Sequence, residues 1–279
     1  MNGAPADTAE AAKKQADIPE RLDKILARAG FGSRSDVKKL IRAGAVTCNG
    51  EAAKTADQKY NAGIDAILVN GAAIKYQKHI YLMMNKPKGY VSSTDDPRHK
   101  TVADLVPERF QSRRPFPAGR LDIDTTGFLL MTDDGDLAHR MLSPKKHVEK
   151  EYEAVLDIMP DTGVADDFLS GVVLDGGVRL KPARLTIVSG INSDAPHAVG
   201  SPGSTGADAP HVAKLSDAAV VRVIITEGQY HQIKRMFAAH GIKVLELKRL
   251  RIGSLPLDPS LAPGESRELN ETEVEKLLK

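Results

Sequence analysis

Apolar residues at helical spacing indicate that the first predicted elements of the chain are helices. Between Pro19, which suits a first helical turn, and Gly30, which ends a helix, apolar residues recur every three or four positions. A second periodic stretch follows residues 33–36, Ser-Arg-Ser-Asp, a capping box with Asp in place of the usual Glu, and closes at Gly44. The apolar positions of the two predicted helices are Leu22, Ile25, Leu26, Ala29, Val37, Leu40 and Ile41.

Two short hairpins are predicted directly after these helices. The apolar runs at residues 46–48 and 67–69 are each followed by an Asn-Gly pair, Asn49-Gly50 and Asn70-Gly71. Asn-Gly beside short apolar runs is a strong signal of a two-residue β-hairpin turn, because both residues accept positive φ. We therefore expect a first domain of two helices and hairpin strands over residues 18–72.

Strand-length apolar runs alternate with turns and short helices over the rest of the chain. Strands are expected at residues 79–84, 128–131, 152–156, 220–225 and 244–247, with short antiparallel strands between 169 and 188. Helices are expected at residues 137–142, 231–240 and 265–279, and a loop with a helix at 95–114. The elements indicate a second, larger domain over residues 79–279.

Two stretches have the composition of unstructured chain. Residues 1–17 are dominated by Ala, Asp, Glu and Lys, and we expect a disordered tail there. Residues 190–213 are rich in Gly, Ala, Ser, Pro and Asp and lie between predicted strands. They are expected to form a mobile insertion in the second domain.

Composition narrows the class of protein. The 279 residues carry a net charge of only +2, so no overall basic field indicates nucleic acid. The single cysteine, Cys48, rules out an intramolecular disulfide and a Cys-based zinc cluster, and is expected as a small buried strand residue. No apolar run approaches the length of a membrane span, and the N-terminus lacks the apolar core of a signal peptide. We expect a cytoplasmic protein that contacts no membrane.

Positive charge is concentrated in the predicted helix pair. Seven Lys or Arg lie between residues 20 and 42, against three acids. The basic residues are Arg21, Lys24, Arg28, Arg34, Lys38, Lys39 and Arg42. A solvated helix face is one interpretation, and a face that binds RNA phosphates is the other.

The stretch at residues 119–136 has an unusual layout. Arg120 leads into Asp122 and Asp124, a Thr-Thr-Gly turn, an apolar run at residues 128–131 and an acidic turn. A turn before a buried strand can hold a polar side chain at the mouth of a cleft. The two aspartates would share a face in an extended segment. Asp, Thr and Gly are also ordinary turn formers, and Asp124 could simply cap its own turn.

This stretch closely resembles the catalytic motif of pseudouridine synthases, in particular the branch of ribosomal small subunit pseudouridine synthase A. The resemblance implies that Asp122, the aspartate of Gly-Arg-Leu-Asp, is the catalytic residue. Residues 79–90 resemble the opening of the synthase core. The resemblance implies an α+β fold, with a mixed, largely antiparallel sheet and a central cleft. It also implies no cofactor, because the reaction is an isomerisation without net oxidation or hydrolysis.

Two further motifs complete the implied active site. Lys150-Glu151-Tyr152 resembles the second family motif, whose tyrosine contacts the flipped base, so Tyr152 would offer a stacking face and a phenol that could help remove the C5 proton. Residues 227–236 resemble the third, which places apolar Ile233 and basic Lys234 beside the aspartate. The cation would keep Asp122 ionised. Several family members have Arg where Lys234 stands, and Lys lacks the bidentate fork. Arg120, His231 and Arg235 are further expected substrate-binding residues.

The N-terminal helix pair resembles the S4-type RNA-binding domain. Arg-Leu-Asp-Lys at residues 21–24 and Ser-Arg-Ser followed by the basic helix carry the resemblance. It implies that this domain binds RNA through phosphate contacts. The residues implied are Arg21, Lys24, Arg34, Lys38, Lys39 and Arg42.

Taken together, the resemblance implies a monomeric enzyme that converts one uridine of 16S ribosomal RNA to pseudouridine. His231 and Lys234 favour this small-subunit target over a uridine of 23S RNA, which stays open as an alternative. A non-catalytic ribosomal RNA-binding assembly factor is a second alternative. A glycoside hydrolase using Asp122 and Asp124 would need carboxylates that face each other across a sugar, which neighbours on one strand face do not provide. No metal is expected, because the histidines lack metal spacing with Cys or acids.

Overall fold

The computed structural model of the chain describes residues 19–74, 76–143, 146–190 and 218–279. These residues form two compact units. The first comprises the described residues up to Ile80 together with Val106–Pro115, and the second comprises Tyr81–Leu105 and Phe116–Lys279. The predicted tail lies outside the described residues, and so does the predicted insertion apart from Gly190.

The first unit packs two helices against small antiparallel sheets. Its strands are β1 (Glu20–Arg21), β2 (Val46–Cys48), β3 (Glu51–Ala52), β4 (Lys59–Tyr60), β5 (Ile67–Val69) and β6 (Ala72–Ala73), and its helices are α1 (Leu22–Arg28), α2 (Arg34–Arg42) and α3 (Glu108–Gln111). β1 pairs with β4, and the other strands form a sheet of order β3-β2-β5-β6. The core is apolar and includes the buried Cys48, as expected.

Most of these elements lie where short sequence motifs predict them. Ser33 and Asp36 form the predicted reciprocal capping box at the start of α2. The Asn-Gly pairs turn both hairpins with positive φ at each residue, 52° and 86° at the first and 51° and 79° at the second. The first helix, however, begins at Leu22 rather than in a turn that includes Pro19, because Glu20 and Arg21 pair with β4 as a strand.

Arg113 holds α3 in the first unit, although 85 positions of sequence separate it from Arg28. Its guanidinium donates to the carbonyl oxygens of Arg28, Gln77 and Lys78 at 3.0, 2.8 and 2.7 Å. Three bonds from one charged group to backbone oxygens explain why this segment joins the first unit.

A nine-stranded sheet forms the second unit. Its strands are β7 (Tyr81–Lys86), β8 (Phe116–Pro117), β9 (Thr126–Thr132), β10 (Lys150–Leu156), β11 (Arg184–Gly190), β12 (Ala219–Ile225), β13 (Val244–Ile252), β14 (Leu255–Pro256) and β15 (Ser266–Glu268). Its α-helices are α4 (Gly135–Leu142), α5 (Thr162–Ser170), α6 (Gln232–Ala238) and α7 (Glu271–Lys276), with a 3-10 turn at Val102–Leu105. The principal order is β11-β12-β10-β13-β9-β7-β15. Every strand pair is antiparallel except β13 with β9, so the sheet is mixed and largely antiparallel, as predicted.

The parallel pair β13–β9 joins two halves of this sheet. Its register is short, Lys248 with Thr126 and Arg249 with Gly127. Gly127 has a φ of 96°, and a Cβ there would collide with the backbone of Arg249. The close approach at this point therefore requires glycine.

Three predictions for the second unit were wrong in part. The segment 169–188 does not form several strands. It contains the end of α5, a single bridge between Val173 and Arg179, and the start of β11. The predicted helix at 265–279 is split, because residues 266–268 pair with β7 and helix forms only at Glu271–Lys276. The predicted helix at 231–240 spans Gln232–Ala238, because His231 has left-handed backbone geometry. Among the described residues, no helix is long and apolar enough to span a membrane.

Candidate active site

A cleft of about 700 Å³ lies in the second unit, where β9 and β13 meet. Its walls come from the loop before β9, from β10 and β13, and from the loop that leads into α6. The sequence predicts seven site residues in the second domain, and six of them line this cleft: Arg120, Asp122, Tyr152, His231, Ile233 and Lys234. Arg235 is half-buried on α6 and is not among the lining residues. Residues more than 100 positions apart in sequence thus share one site.

Lys86 anchors the loop that carries the two aspartates. Its side chain is fully buried at the end of β7. Its Nζ donates to the carbonyl oxygens of Pro87, Asp122 and Thr125 at 3.1, 3.0 and 2.9 Å. Burial lowers the pKa of Lys86 to about 8, against the opposing pull of Asp124 and Asp122. Lys86 was given no role of its own from the sequence, where it belongs to residues 79–90, which resemble the opening of the synthase core.

We expect Lys86→Met to destabilise the protein by about 2 kcal/mol or more. Methionine fills a similar volume but donates no hydrogen bond. The buried carbonyl oxygen of Thr125 and the part-buried ones of Pro87 and Asp122 therefore lose their partner, at ~1–3 kcal/mol for a buried group, partly offset by removal of a buried charge. Urea unfolding measures the change. The matched control is Lys88→Met, an exposed lysine two residues along, which should change stability by no more than about 0.5 kcal/mol. Equal stability of the two variants would show that Lys86 does not anchor the loop.

The carboxylate of Asp122 faces the cleft between two basic side chains. It is 28% exposed, with Lys234 Nζ 3.5 Å from Oδ2 and His231 Nε2 3.5 Å from Oδ1. In the part of the chain that the structure describes, no group donates a hydrogen bond to this carboxylate. Its oxygens are therefore free to approach a substrate while two groups that can carry positive charge lie within 4 Å.

Lys234 lies closer to Asp124 than to Asp122. Its Nζ donates to Asp124 Oδ1 at 2.5 Å, 1.0 Å less than its distance to Asp122. Burial acts to raise the pKa of Asp124, but the hydrogen bond and charge of Lys234 outweigh it, so the pKa is lowered. The sequence prediction paired Lys234 with Asp122, which lies 3.5 Å away, and did not include Asp124, which shares the cation and holds it at the cleft.

Tyr152 and Arg249 form the floor of the cleft. Tyr152 lies on β10 and is 7% exposed, and its hydroxyl accepts a hydrogen bond from Arg249 Nη1 at 3.3 Å. Arg249 is 3% exposed on β13, and its Nε donates to the carbonyl oxygen of Phe128 at 2.7 Å. Its Nη2 is buried without a hydrogen-bond partner among the described residues. Arg249 therefore orients the tyrosine hydroxyl.

Lys150 adds a further buried cation beside Arg249. Its Nζ donates to the carbonyl oxygen of Val148 at 3.1 Å, and it lines the cleft. Burial, followed by repulsion from Arg249, lowers the pKa of Lys150 to about 8. Arg249 was not predicted from the sequence, and Lys150 entered the prediction only as a motif neighbour of Tyr152. Charged residues are rarely buried, and no local pattern distinguishes these from surface residues.

A basic stripe runs along α2 in the first unit. Arg34, Lys38 and Arg42 are exposed and spaced at four residues, so they lie on one face of the helix. None of the three forms an ion pair among the described residues. The other three predicted RNA contacts already engage carboxylates: Arg21 with Asp23 at 2.9 Å, Lys24 with Glu20 at 3.5 Å and Lys39 with Asp36 at 3.3 Å. The stripe is therefore the part of the predicted surface with the most available charge.

Among the residues that the structure describes, no three His, Cys, Asp or Glu side chains are grouped so that they could hold a metal ion.

Comparison with known proteins gives two family matches. Residues 80–239 match the RNA pseudouridylate synthase family, and residues 20–63 match the S4 domain. The chain is 44% identical to an uncharacterized RNA pseudouridine synthase of Bacillus subtilis, over 92% of this chain and 98% of that protein. It is 39% identical to ribosomal small subunit pseudouridine synthase A of Escherichia coli, over 92% of this chain and all of that protein. A crystal structure of a pseudouridylate synthase, 36% identical, aligns over 92% of this chain and 99% of that chain with a TM-score of 0.59.

Proposed function

The chain belongs to the RNA pseudouridylate synthase family, and from this premise we propose that it converts one uridine of 16S small-subunit ribosomal RNA to pseudouridine. The observation that carries the catalytic part is the cleft in which Asp122, free of hydrogen bonds among the described residues, lies 3.5 Å from Lys234. The relatives named ribosomal small subunit pseudouridine synthase A support the 16S target. The enzyme acts as a monomer in the cytoplasm.

The chemistry needs an ionised carboxylate beside a flipped nucleotide. The bond between uracil N1 and ribose C1′ breaks, the base turns, and a bond forms between C5 and C1′. C5 loses a proton and N1 gains one, so atoms and electrons balance with no redox partner and no water consumed. Asp122 serves as the nucleophile or electrostatic stabiliser of this exchange.

Tyr152 and Arg249 act on the base. A uridine in structured RNA must leave its stack before a side chain can reach its glycosidic bond. Tyr152 contacts the flipped base from the floor of the cleft, with its hydroxyl oriented by Arg249 at 3.3 Å. Held in this way, the Tyr152 oxygen takes the C5 proton while its own phenolic proton passes on towards N1, so the side chain ends unchanged. Ile233, buried at the cleft wall, packs against the base from α6.

Lys234 supplies the positive charge. We expect Lys234→Met to slow single-turnover isomerisation about 10- to 100-fold, because the change removes a positive charge held 3.5 Å from the carboxylate at which charge changes during the reaction. RNA affinity should change far less, since the residue meets aspartates rather than phosphates. Rates at saturating RNA and affinities measured separately test both parts. Lys234→Arg is the matched control, because it keeps the charge. An unchanged rate in Lys234→Met would remove this residue from the mechanism.

The 16S target is tested by mapping pseudouridines in the ribosomal RNA of cells with and without the protein. We expect loss of one pseudouridine in 16S RNA, restored by the wild-type chain and not by Asp122→Asn. Loss of a position in 23S RNA instead would overturn the small-subunit target and keep the activity. No lost position in either RNA, with equal total pseudouridine, would favour a non-catalytic assembly factor.

A further inference from the structure

Tyr230 presents a bare aromatic face at the cleft. Its side chain is 74% exposed, in a chain with only 4% aromatic residues. One face stacks on the His231 imidazole, with ring centroids 3.9 Å apart and planes 16° from parallel. Among the described residues, nothing else forms a hydrogen bond or ring contact with Tyr230. Single exposed apolar residues are common, but this one is stacked and lines the candidate active site.

The loop beneath the two rings is held firmly. His231 has left-handed backbone geometry, with a φ of 48°, which non-glycine residues adopt only where their surroundings impose it. Buried Gln232 accepts from the backbone N of Gln229 at 3.0 Å and donates to Glu227 Oε1 at 3.1 Å. The ring of Tyr230 is thus presented on a fixed base, which reduces the conformational entropy lost when a ligand stacks on it.

The position of the ring relative to Asp122 indicates what it meets. His231 Nε2 lies 3.5 Å from Asp122, and Tyr230 stacks on the same imidazole. A single imidazole therefore links the Tyr230 ring to the carboxylate of Asp122. Arg120 lines the same cleft and favours an anionic backbone. Flat aromatic faces beside cationic groups are the arrangement on which unpaired nucleobases stack.

We propose that Tyr230 is a stacking subsite for an unpaired nucleobase adjacent to the target uridine. The proposal rests on the proposed function, since it places the neighbouring base from the position of the uridine at Asp122. The site accepts any base, because stacking uses the π face rather than hydrogen-bonding edges. Its role is to hold the strand next to the flipped uridine, and it takes no part in bond exchange.

The test uses the full chain with the RNA fragment that contains the mapped uridine, whichever subunit it comes from. 2-Aminopurine, whose fluorescence falls when it stacks, replaces the base on the 5′ or the 3′ side of that uridine. All proteins carry Asp122→Asn, so the RNA is bound without being converted. We expect quenching at one of the two positions with Tyr230 and with Tyr230→Phe, and its loss with Tyr230→Ala. Affinity should fall about 5- to 100-fold in Tyr230→Ala and stay near the Tyr230 value in Tyr230→Phe.

The outcomes separate this proposal from the function itself. Tyr230→Ala with an unchanged melting temperature, unchanged affinity and unchanged quenching would overturn the stacking subsite while leaving the synthase intact. A loss of affinity in Tyr230→Phe as large as in Tyr230→Ala would show that the hydroxyl, rather than the ring, meets the RNA, and would also overturn it. Failure of the proposed function is detected separately, as the absence of any lost pseudouridine in the mapping experiment.

Discussion

Asp122→Asn is expected to abolish pseudouridine formation while the protein stays folded and bound to RNA. Asparagine has the same shape but no negative charge. We expect the single-turnover rate to fall at least about 10³-fold, as when other enzymes lose a residue that acts as nucleophile. The fold should persist, because Lys86 holds this loop through the backbone oxygens of Asp122 and Thr125 and not through the side chain. Nuclease digestion and quantification of pseudouridine in a mapped RNA fragment measure the rate.

Asp124→Asn is the matched control for this substitution. It lies two residues away in the same loop and makes the same chemical change. It loses the 2.5 Å charge pair with Lys234, so we expect a rate reduction of about tenfold rather than complete loss. An active Asp122→Asn beside an inactive Asp124→Asn would transfer the catalytic role to Asp124. The pair therefore decides which of two neighbouring carboxylates performs the chemistry.

Sequence reasoning succeeded where the determinants of structure are local. The two Asn-Gly turns are fixed by residues that accept positive φ, and the start of α2 is fixed by the reciprocal bonds of Ser33 and Asp36. Each such feature is encoded within four residues. The strands β9 and β10 were also predicted nearly in place, because their apolar runs have the length of buried strands.

The errors fall where distant chain segments decide the outcome. Residues 266–268 carry the charged composition of a surface helix, yet they become β15 because β7 offers a free edge about 180 positions earlier in the chain. Glu20 and Arg21 are drawn from a helix into a strand by β4 in the same way. A window of sequence does not contain the partner strand, so propensity alone gives the wrong element.

The residues of the candidate site also divide into those that the sequence predicts and those that only the structure reveals. The resemblance supplied Asp122, Tyr152 and Lys234, and the structure brings all three to one cleft. It could not supply Arg249 and Lys86, because a buried cation is recognised only from its surroundings. It also could not show that Lys234 is held mainly by Asp124, since a difference of 1.0 Å depends on how α6 meets the loop before β9.

The basic stripe on α2 gives the second large effect that we expect. We expect RNA binding to weaken when Arg34, Lys38 and Arg42 are changed together to Gln. The loss of affinity should be about 100-fold larger at 0.1 M salt than at 1 M salt. Each phosphate contact contributes roughly −0.7 to −0.9 to the slope of log affinity against log salt, so loss of three should flatten the slope by about 2. Isomerisation at saturating RNA should stay near normal, because Asp122, Tyr152 and Lys234 all lie in the second unit.

A control of equal charge separates the stripe from general electrostatics. Lys39→Gln, Lys54→Gln and Lys59→Gln together remove three exposed cations of the same unit that lie off the stripe. Lys39 is already paired with Asp36, and the other two lie outside the helices. We expect this triple variant to change the slope by less than about 1, because long-range attraction without phosphate contact releases few counterions.

Affinities across a salt series measure both variants. Equal slopes for the two would show that net charge, and not the α2 face, governs RNA binding. A collapsed rate at saturating RNA in the folded stripe variant would instead mean that the first unit helps to place the target uridine.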